Sequence, residues 1–428
     1  MTTATLQPPE AEAGTGSHIL GLRCRACGQP EAIGPNYVCA ACFGPLEVVY
    51  DPDVARRSLT RETIAARPTG IWRYLELLPV SAAPARGLAV GSTALVRAER
   101  LGAEIGVEGL WLKDDTRNPT LSFKDRVVAV AAARAVEFGF DTLACASTGN
   151  LAGATAAAAA ALGLRAFVFV PADLEPAKVD HALAYGATVV RVDGTYDEIN
   201  RLSLEIADEE GWAFVNVNLR PYYSEGSKTL AFEVAEQLGW RLPDVVVAPI
   251  ASGSLFTKVA KGFDELVAVG LVAPKEVRFV GGQPAGCSPV ATAFTSGSDR
   301  IEPVRQPDTI VRSLAIGSPA DGVYALDLAR RTGGSIEAIA DADAAEAIRR
   351  TAATEGIFVE TAGGVTVAAA AAARRRGIIR DGDEVVALLT GNGVKTPDAR
   401  NFGVADTDGG TAAPIAATYS AFAAQYGS

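Results

Sequence analysis

Lys124 stands where a tight turn, Asn118-Pro-Thr-Leu-Ser-Phe-Lys124-Asp-Arg126, meets an alanine-rich helical run from Val127 to Phe138. A lysine at a helix start, flanked by hydroxyls and partly withdrawn from water, can have its ammonium pKa lowered and serve as a Schiff-base amine. Two other stretches suit anions. Ser147-Thr148-Gly149-Asn150 follows an apolar run and opens a helix, so backbone N–H groups and hydroxyls there fit a carboxylate or a phosphate. Ala251-Ser252-Gly253-Ser254-Leu255 also passes from strand to helix, and its small residues let main-chain N–H groups close on a phosphate at the positive helix end. A dinucleotide enzyme would carry Gly-x-Gly-x-x-Gly at such a turn, and none follows a strand here.

A fourth constellation is made of thiols. Cys24-x-x-Cys27 and Cys39-x-x-Cys42 are separated by eleven residues, with Gly28 and Gly44 close behind each pair. Two such knuckles place four thiolates tetrahedrally around Zn²⁺, so a structural zinc-ribbon-like site is expected; a ribbon that keeps its cysteines without metal is the alternative. Cys145 and Cys287 read as small buried hydrophobes.

The elements that must carry these groups follow from periodicity. From residue 107 onward, short apolar runs alternate with helical patterns: Leu110 to Lys113, Thr142 to Ala146, Ala166 to Val170, Thr188 to Val192, Ala213 to Asn216, Val245 to Pro249, Arg278 to Gly281 and Glu384 to Thr390. Strands spaced by helices imply βαβ units and mainly parallel sheets, so the fold class is α/β. The run from Ala152 to Ala161 favours helix by propensity.

Composition narrows the partners. A chain of 428 residues, 49% hydrophobic and 21% charged, suggests a globular protein of two domains. The net charge of −11, without a long Lys/Arg stripe, argues against nucleic acid. No stretch of about 18 strongly apolar residues predicts a membrane span. Residues 1–20 read as a flexible tail without the basic start and apolar centre of a signal peptide, so a cytoplasmic protein is expected.

Lys113-Asp-Asp115-x-x-Asn118-Pro119-Thr120-x-Ser122-Phe123-Lys124-Asp125-Arg126 resembles the lysine segment of the fold type II pyridoxal-phosphate family, which includes threonine synthase, threonine dehydratase and the tryptophan synthase β chain. Other phrases follow in family order: Gly44 to Asp51, Gly91 to Leu95, Ser147 to Asn150, Asn216 to Thr229, Ser313 to Gly322, Glu355 to Gly364 and Thr390 to Lys395. The resemblance spans about residues 21 to 398. It implies two open, twisted, mainly parallel sheets flanked by helices: a zinc-ribbon-like segment at 21–50, a large cofactor domain at 51–126 and 236–398, a small substrate-closing domain at 127–235 and a surface extension at 399–428.

The resemblance also implies roles. Lys124 would hold pyridoxal 5′-phosphate and move protons; Asn150 would bond the ring's 3′-oxygen; Ala251, Ser252, Gly253, Ser254 and Leu255 would hold the cofactor phosphate; and Thr390 would face the pyridine nitrogen. Ser122, Ser147, Thr148 and Gly149 would meet the substrate. Threonine synthases commonly carry an arginine for the substrate phosphate where this chain has Tyr223, so Arg220 with Asn218 is expected to do that task from a shifted position. Lys178 reads as a surface residue and His181 as structural. The implied reaction turns O-phospho-L-homoserine and water into L-threonine and phosphate, in a homodimer that binds only a small amino-acid substrate. Cysteate synthase or threonine dehydratase chemistry is the alternative, and a non-catalytic zinc-ribbon binding protein the remote one.

Overall fold

The computed structural model describes residues 17–172, 174, 179–194, 196–403 and 415–426. Lys178 and the first sixteen residues of the expected tail lie outside them. Among the described residues, thirteen strands fall into three sheets. The smallest is antiparallel, in the order β2-β1-β3, with β1 (Ile19–Cys24) between β2 (Pro30–Glu31) and β3 (Leu46–Tyr50). Its first strand starts at Ile19, inside the stretch read as tail, because Ile19 pairs with Tyr50.

The largest sheet runs β12-β11-β10-β13-β5-β4. Its members are β4 (Leu95–Arg97), β5 (Leu110–Asp114), β10 (Val245–Pro249), β11 (Arg278–Pro284), β12 (Ser335–Ile339) and β13 (Val385–Leu389). All neighbours are parallel except β4 on β5. β12, absent from the sequence reading, forms an edge. The third sheet runs β8-β7-β6-β9 and is wholly parallel. It contains β6 (Thr142–Ala146), β7 (Arg165–Pro171), β8 (Thr188–Val192) and β9 (Ala213–Phe214). β5, β10 and β13 are buried along nearly their whole length, as expected for parallel strands covered on both faces.

The lysine helix, Lys124–Glu137, lies between the two parallel sheets. Val127, Val128, Ala131, Ala132 and Ala135 join the core of the four-stranded sheet, while Val130 and Ala133 join that of the six-stranded one. The helix Lys228–Gln237, which the expected domain boundary at 235 divides, packs as a unit against the helix Ser254–Ala268 and buries Leu230, Phe232 and Val234 in the larger core. The ribbon sheet docks on Ser254–Ala268 through buried charges. Lys258 Nζ donates to Glu47 and Glu225, both at 2.6 Å, Tyr50 Oη donates to Glu225 at 2.9 Å, and Lys261 Nζ donates to the Val48 carbonyl at 2.7 Å. Cys145 and Cys287 are fully buried, as read. No helix among the described residues is long and apolar enough to cross a membrane.

Candidate active site

Four of the stretches singled out for chemistry leave the C-terminal end of a parallel strand: the lysine segment after β5, Ser147–Asn150 after β6, Ala251–Leu255 after β10 and Thr390 after β13. Ligands of open α/β sheets sit at these ends. The lysine segment is bound to the last turn by its backbone: the Phe123 N–H donates to the Thr390 carbonyl at 2.9 Å and the Asn392 N–H to the Leu121 carbonyl at 3.0 Å. Leu121 takes a positive φ of 63°, a left-handed conformation costing on the order of 1–3 kcal/mol for such a side chain and typical of functional turns.

Beneath this segment lies a closed ionic network. Arg126, wholly buried, donates to Asp115 from Nε at 2.6 Å and from Nη2 at 2.9 Å, and to Glu233 from Nη1 at 2.7 Å and Nη2 at 2.8 Å. Lys113 Nζ donates to Glu233 and to the Thr93 carbonyl, both at 2.7 Å. Burial alone would raise Glu233, but the Arg126 and Lys113 charges hold it down at about 2.

Lys124 projects half-buried from this base. Its Nζ lies 3.0 Å from Tyr223 Oη and 4.6 Å from the centre of the Phe123 ring. Tyr223 therefore meets the lysine itself. Asn150 lies on another side of the site: its Nδ2 donates to the two oxygens of Glu360 at 3.0 and 3.1 Å, and its Oδ1 accepts from Lys395 Nζ at 2.8 Å. Lys395 also donates to the Thr120 carbonyl. Burial raises the Glu360 carboxyl above its usual range. A side chain on Gly391 would begin 2.2 Å from Glu360 Oε1, so only glycine lets that carboxylate lie against the turn.

Ser122 is fully buried and its Oγ has no hydrogen-bond partner, an orphaned donor facing a site that a polar ligand would complete. Ser147 is half-buried and Thr148 and Gly149 are exposed, with nothing within 4 Å of where a Gly149 side chain would begin. Gly253 has φ +95°, and the Ala251–Leu255 turn leads into the fifteen-residue helix Ser254–Ala268. These features fit a ligand bearing an amine-reactive carbonyl, a phosphate and a carboxylate-bearing partner.

Asn218 departs from expectation. Its Oδ1 accepts from the Phe214 N–H at 2.8 Å and its Nδ2 donates to the Trp212 carbonyl at 2.9 Å, so its amide is spent on holding β9 rather than facing a phosphate. Arg220 instead places Nη2 3.0 Å from Asp321 Oδ2. Glu360, Lys395 and Asp321 carried no role in the sequence reading. Glu360 is a lone carboxylate in the apolar phrase Ile357-Phe-Val-Glu360-Thr-Ala, which was a usable signal; Asp321 had none. His181 packs its ring on Gly153 of the helix Asn150–Leu162, a structural place.

The four cysteine Sγ atoms lie within 4.8 Å of one another, with Cys24 and Cys42 3.5 Å apart. A side chain on Gly44 would begin 2.8 Å from Cys24 Sγ, so the cluster needs that glycine. Burial works to raise Cys24, yet the Cys27 and Ala26 amides outweigh it and lower the thiol to about 7, favouring the thiolate that binds metal. The donor set fits Zn²⁺.

Residues 87–391 match the family model of pyridoxal-phosphate dependent enzymes. Threonine synthase of Methanocaldococcus jannaschii is 35% identical over 379 residues, covering 88% of this chain and 93% of that protein. Threonine synthase of Bacillus sp. (strain ULM1) is 34% identical over 328 residues, covering 76% and 90%. In fold, processed threonine deaminase isoform 2 from Solanum lycopersicum matches with a TM-score of 0.61 at 22% identity, covering 80% of this chain and 85% of that one. Maize serine racemase matches at 0.60 and 19% identity, covering 78% and 95%. With a lysine turn, two anion turns and a buried hydroxyl gathered at the strand ends, and relatives this similar over most of its length, the chain belongs to the pyridoxal-phosphate-dependent enzyme family, alongside its threonine synthases.

Proposed function

We propose that this protein is a threonine synthase, converting O-phospho-L-homoserine and water to L-threonine and phosphate. The observation that carries the reading is Lys124 Nζ, touched by Tyr223 and held on a turn that two backbone bonds tie to the turn after β13. The similarity to threonine synthases over nearly nine-tenths of the chain supports the choice of substrate.

Pyridoxal phosphate, when bound, supplies the electron sink for carbanion chemistry beside the substrate amine. The Ala251–Leu255 turn would hold its phosphate with backbone N–H groups, Thr390 would meet its ring nitrogen with a neutral hydroxyl, and Asn150 would reach its ring oxygen once Nδ2 turns away from Glu360. Ser122 and the Ser147–Gly149 turn take the substrate carboxylate. Lys124 would remove a proton from Cα and then one from Cβ, and phosphate would depart from Cγ. Protonation at Cγ, addition of water oxygen at Cβ and return of a proton to Cα complete the product. Tyr223 holds Lys124 Nζ in position between these transfers, and the charges of Glu360 and Asp125 favour the Lys395 ammonium beside Asn150. The open Ser147–Gly149 turn closes over bound substrate and excludes water from the early carbanions. Cys24, Cys27, Cys39 and Cys42 hold a structural Zn²⁺.

The purified, yellow protein supplied with O-phospho-L-homoserine is expected to release phosphate and threonine in equal amounts. Lys124→Ala is expected to abolish both products and the visible absorbance of bound cofactor. A fully active Lys124→Ala protein would sink the mechanism. Absence of both products from wild-type holoenzyme would move the reading to another amino acid, with O-phosphoserine and sulfite the next substrates to try, since Tyr223 replaces the usual arginine.

A further inference from the structure

Arg25 sits between two of the clustered thiols, Cys24 and Cys27, yet its side chain leaves the ribbon. Its backbone N–H is fixed on the Pro45 carbonyl at 2.9 Å, its guanidinium lies 3.7 Å above the Tyr324 ring, and Nη1 donates to Asp321 Oδ1 at 2.9 Å. The other carboxylate oxygen, Oδ2, accepts from Arg220 Nη2 at 3.0 Å. The Asp321 main chain belongs to the Ala251–Leu255 turn as well: its N–H donates to the Ser252 carbonyl at 2.8 Å, and its own carbonyl lies 2.7 Å from where a Gly253 side chain would begin. One buried carboxylate thus touches the ribbon, the anion turn and the helix Arg220–Glu225, on which Tyr223, about one turn on from Arg220, meets Lys124.

Within this trio two guanidiniums face one carboxylate, and each arginine touches a single oxygen; the thiol cluster lies on the Arg25 side of Asp321, so its negative charge falls nearer Arg25 than Arg220. A lone Arg–Asp pair closes into a two-pronged contact that spends two N–H donors. With Oδ1 occupied by Arg25, Arg220 makes one contact with Asp321 and keeps its remaining donors. Of the two side chains Arg220 is the more open, 31% exposed against 17% for Arg25.

We propose that Arg25 is a positioning and specificity-determining residue: by holding Asp321 Oδ1 it keeps Arg220 free and net positive for the phosphate of the substrate. The ribbon is then part of substrate selection, because its knuckle fixes Arg25. This rests on the expectation, drawn from the sequence, that Arg220 takes the phosphate of the proposed substrate.

The test uses zinc- and cofactor-loaded protein and two measurements, the KM and kcat for O-phospho-L-homoserine and the competitive inhibition constant of inorganic phosphate. Arg220→Met is expected to raise KM and the phosphate inhibition constant by about tenfold or more, the loss of a charge-assisted contact. Arg25→Met is expected to raise both about fivefold while kcat changes by less than about twofold, with zinc content and cofactor absorbance at wild-type levels. Arg25→Lys restores much of the loss, and Arg25→Met with Arg220→Met is no worse than Arg220→Met alone, as for two residues acting through one contact. If Arg220→Met raises both constants and Arg25→Met moves neither, or moves them only together with cofactor and zinc loss, the role of Arg25 is overturned while the substrate reading stands. If Arg220→Met leaves the phosphate constant unchanged, it is the substrate reading of Arg220 that fails.

Discussion

The two banks of the site are built in opposite ways. On the bank of the six-stranded sheet, Lys124 rises from a segment whose neighbours are buried and saturated: Arg126, Asp115, Glu233 and Lys113 close on one another, and the turn is bonded to Thr390 and Asn392 by backbone. On the bank of the four-stranded sheet, Ser147, Thr148 and Gly149 stand open, and the space around Gly149 is clear to 4 Å. The contrast suits the tasks proposed for them. A group that bonds the cofactor gains from being fixed before anything binds, because an orientation set in advance is not lost from each binding event. A turn that grips a substrate and lets a product go needs room to move.

This contrast can be broken most forcefully at Arg126. Replacing it with methionine leaves Asp115 and Glu233 buried without their common partner, a loss of roughly 3–5 kcal/mol for a broken buried pair. The denaturation midpoint and the fraction of protein retaining cofactor absorbance should both fall sharply. A midpoint shifted by no more than a surface substitution would mean that the network does not hold the lysine bank.

A second and smaller effect comes from acid. The folded pKa of Glu233, held near 2 by Arg126 and Lys113 against the pull of burial, lies below its unfolded value. The stability it contributes is therefore complete above about pH 4.5 and is lost as pH falls from there toward 2. Glu233→Gln should be less stable at neutral pH and show a flatter decline over that window. A decline as steep as in the unaltered protein would assign acid sensitivity to other carboxylates, Glu47 in the ribbon among them, which Lys258 and Lys261 hold near 2 despite its burial.

The smallest expected effect is on the open bank. Gly149→Ala meets no atom within 4 Å and, as the N-cap of the helix Asn150–Leu162, should cost stability no more than about 1 kcal/mol. Its KM for the proposed substrate should nevertheless rise a few-fold, because the methyl would intrude where the carboxylate is proposed to bind. A KM equal to that of the unaltered protein would place the carboxylate away from Gly149.

Much of the site was legible because its parts are short and continuous. Lys124 follows Ser-Phe at a helix start, the Ser147–Asn150 and Ala251–Leu255 turns join strand to helix, and the thiol pairs carry their own spacing. Each lies within one turn, so local chemistry names it. Asn218 was read by the same logic and assigned to a phosphate; its neighbour in the chain, β9, claims the amide instead. A residue type with donors and acceptors on both sides fits a ligand or a strand equally well, and only the positions of Trp212 and Phe214 decide between them.

Composition, periodicity and motif order determined the α/β class, the order of most strands, the lysine and the thiol cluster, since each depends on residues a few positions apart. The fold alone decided that Tyr223 meets Lys124 across 99 positions, that Glu360 and Lys395 flank Asn150, and that Arg25 and Arg220 share Asp321. These contacts exist because parallel strands joined by helices bring their C-terminal ends to one place, whatever their separation along the chain. No local pattern records which distant side chains arrive there, so charge, donor and acceptor are matched by packing and cannot be read from spacing.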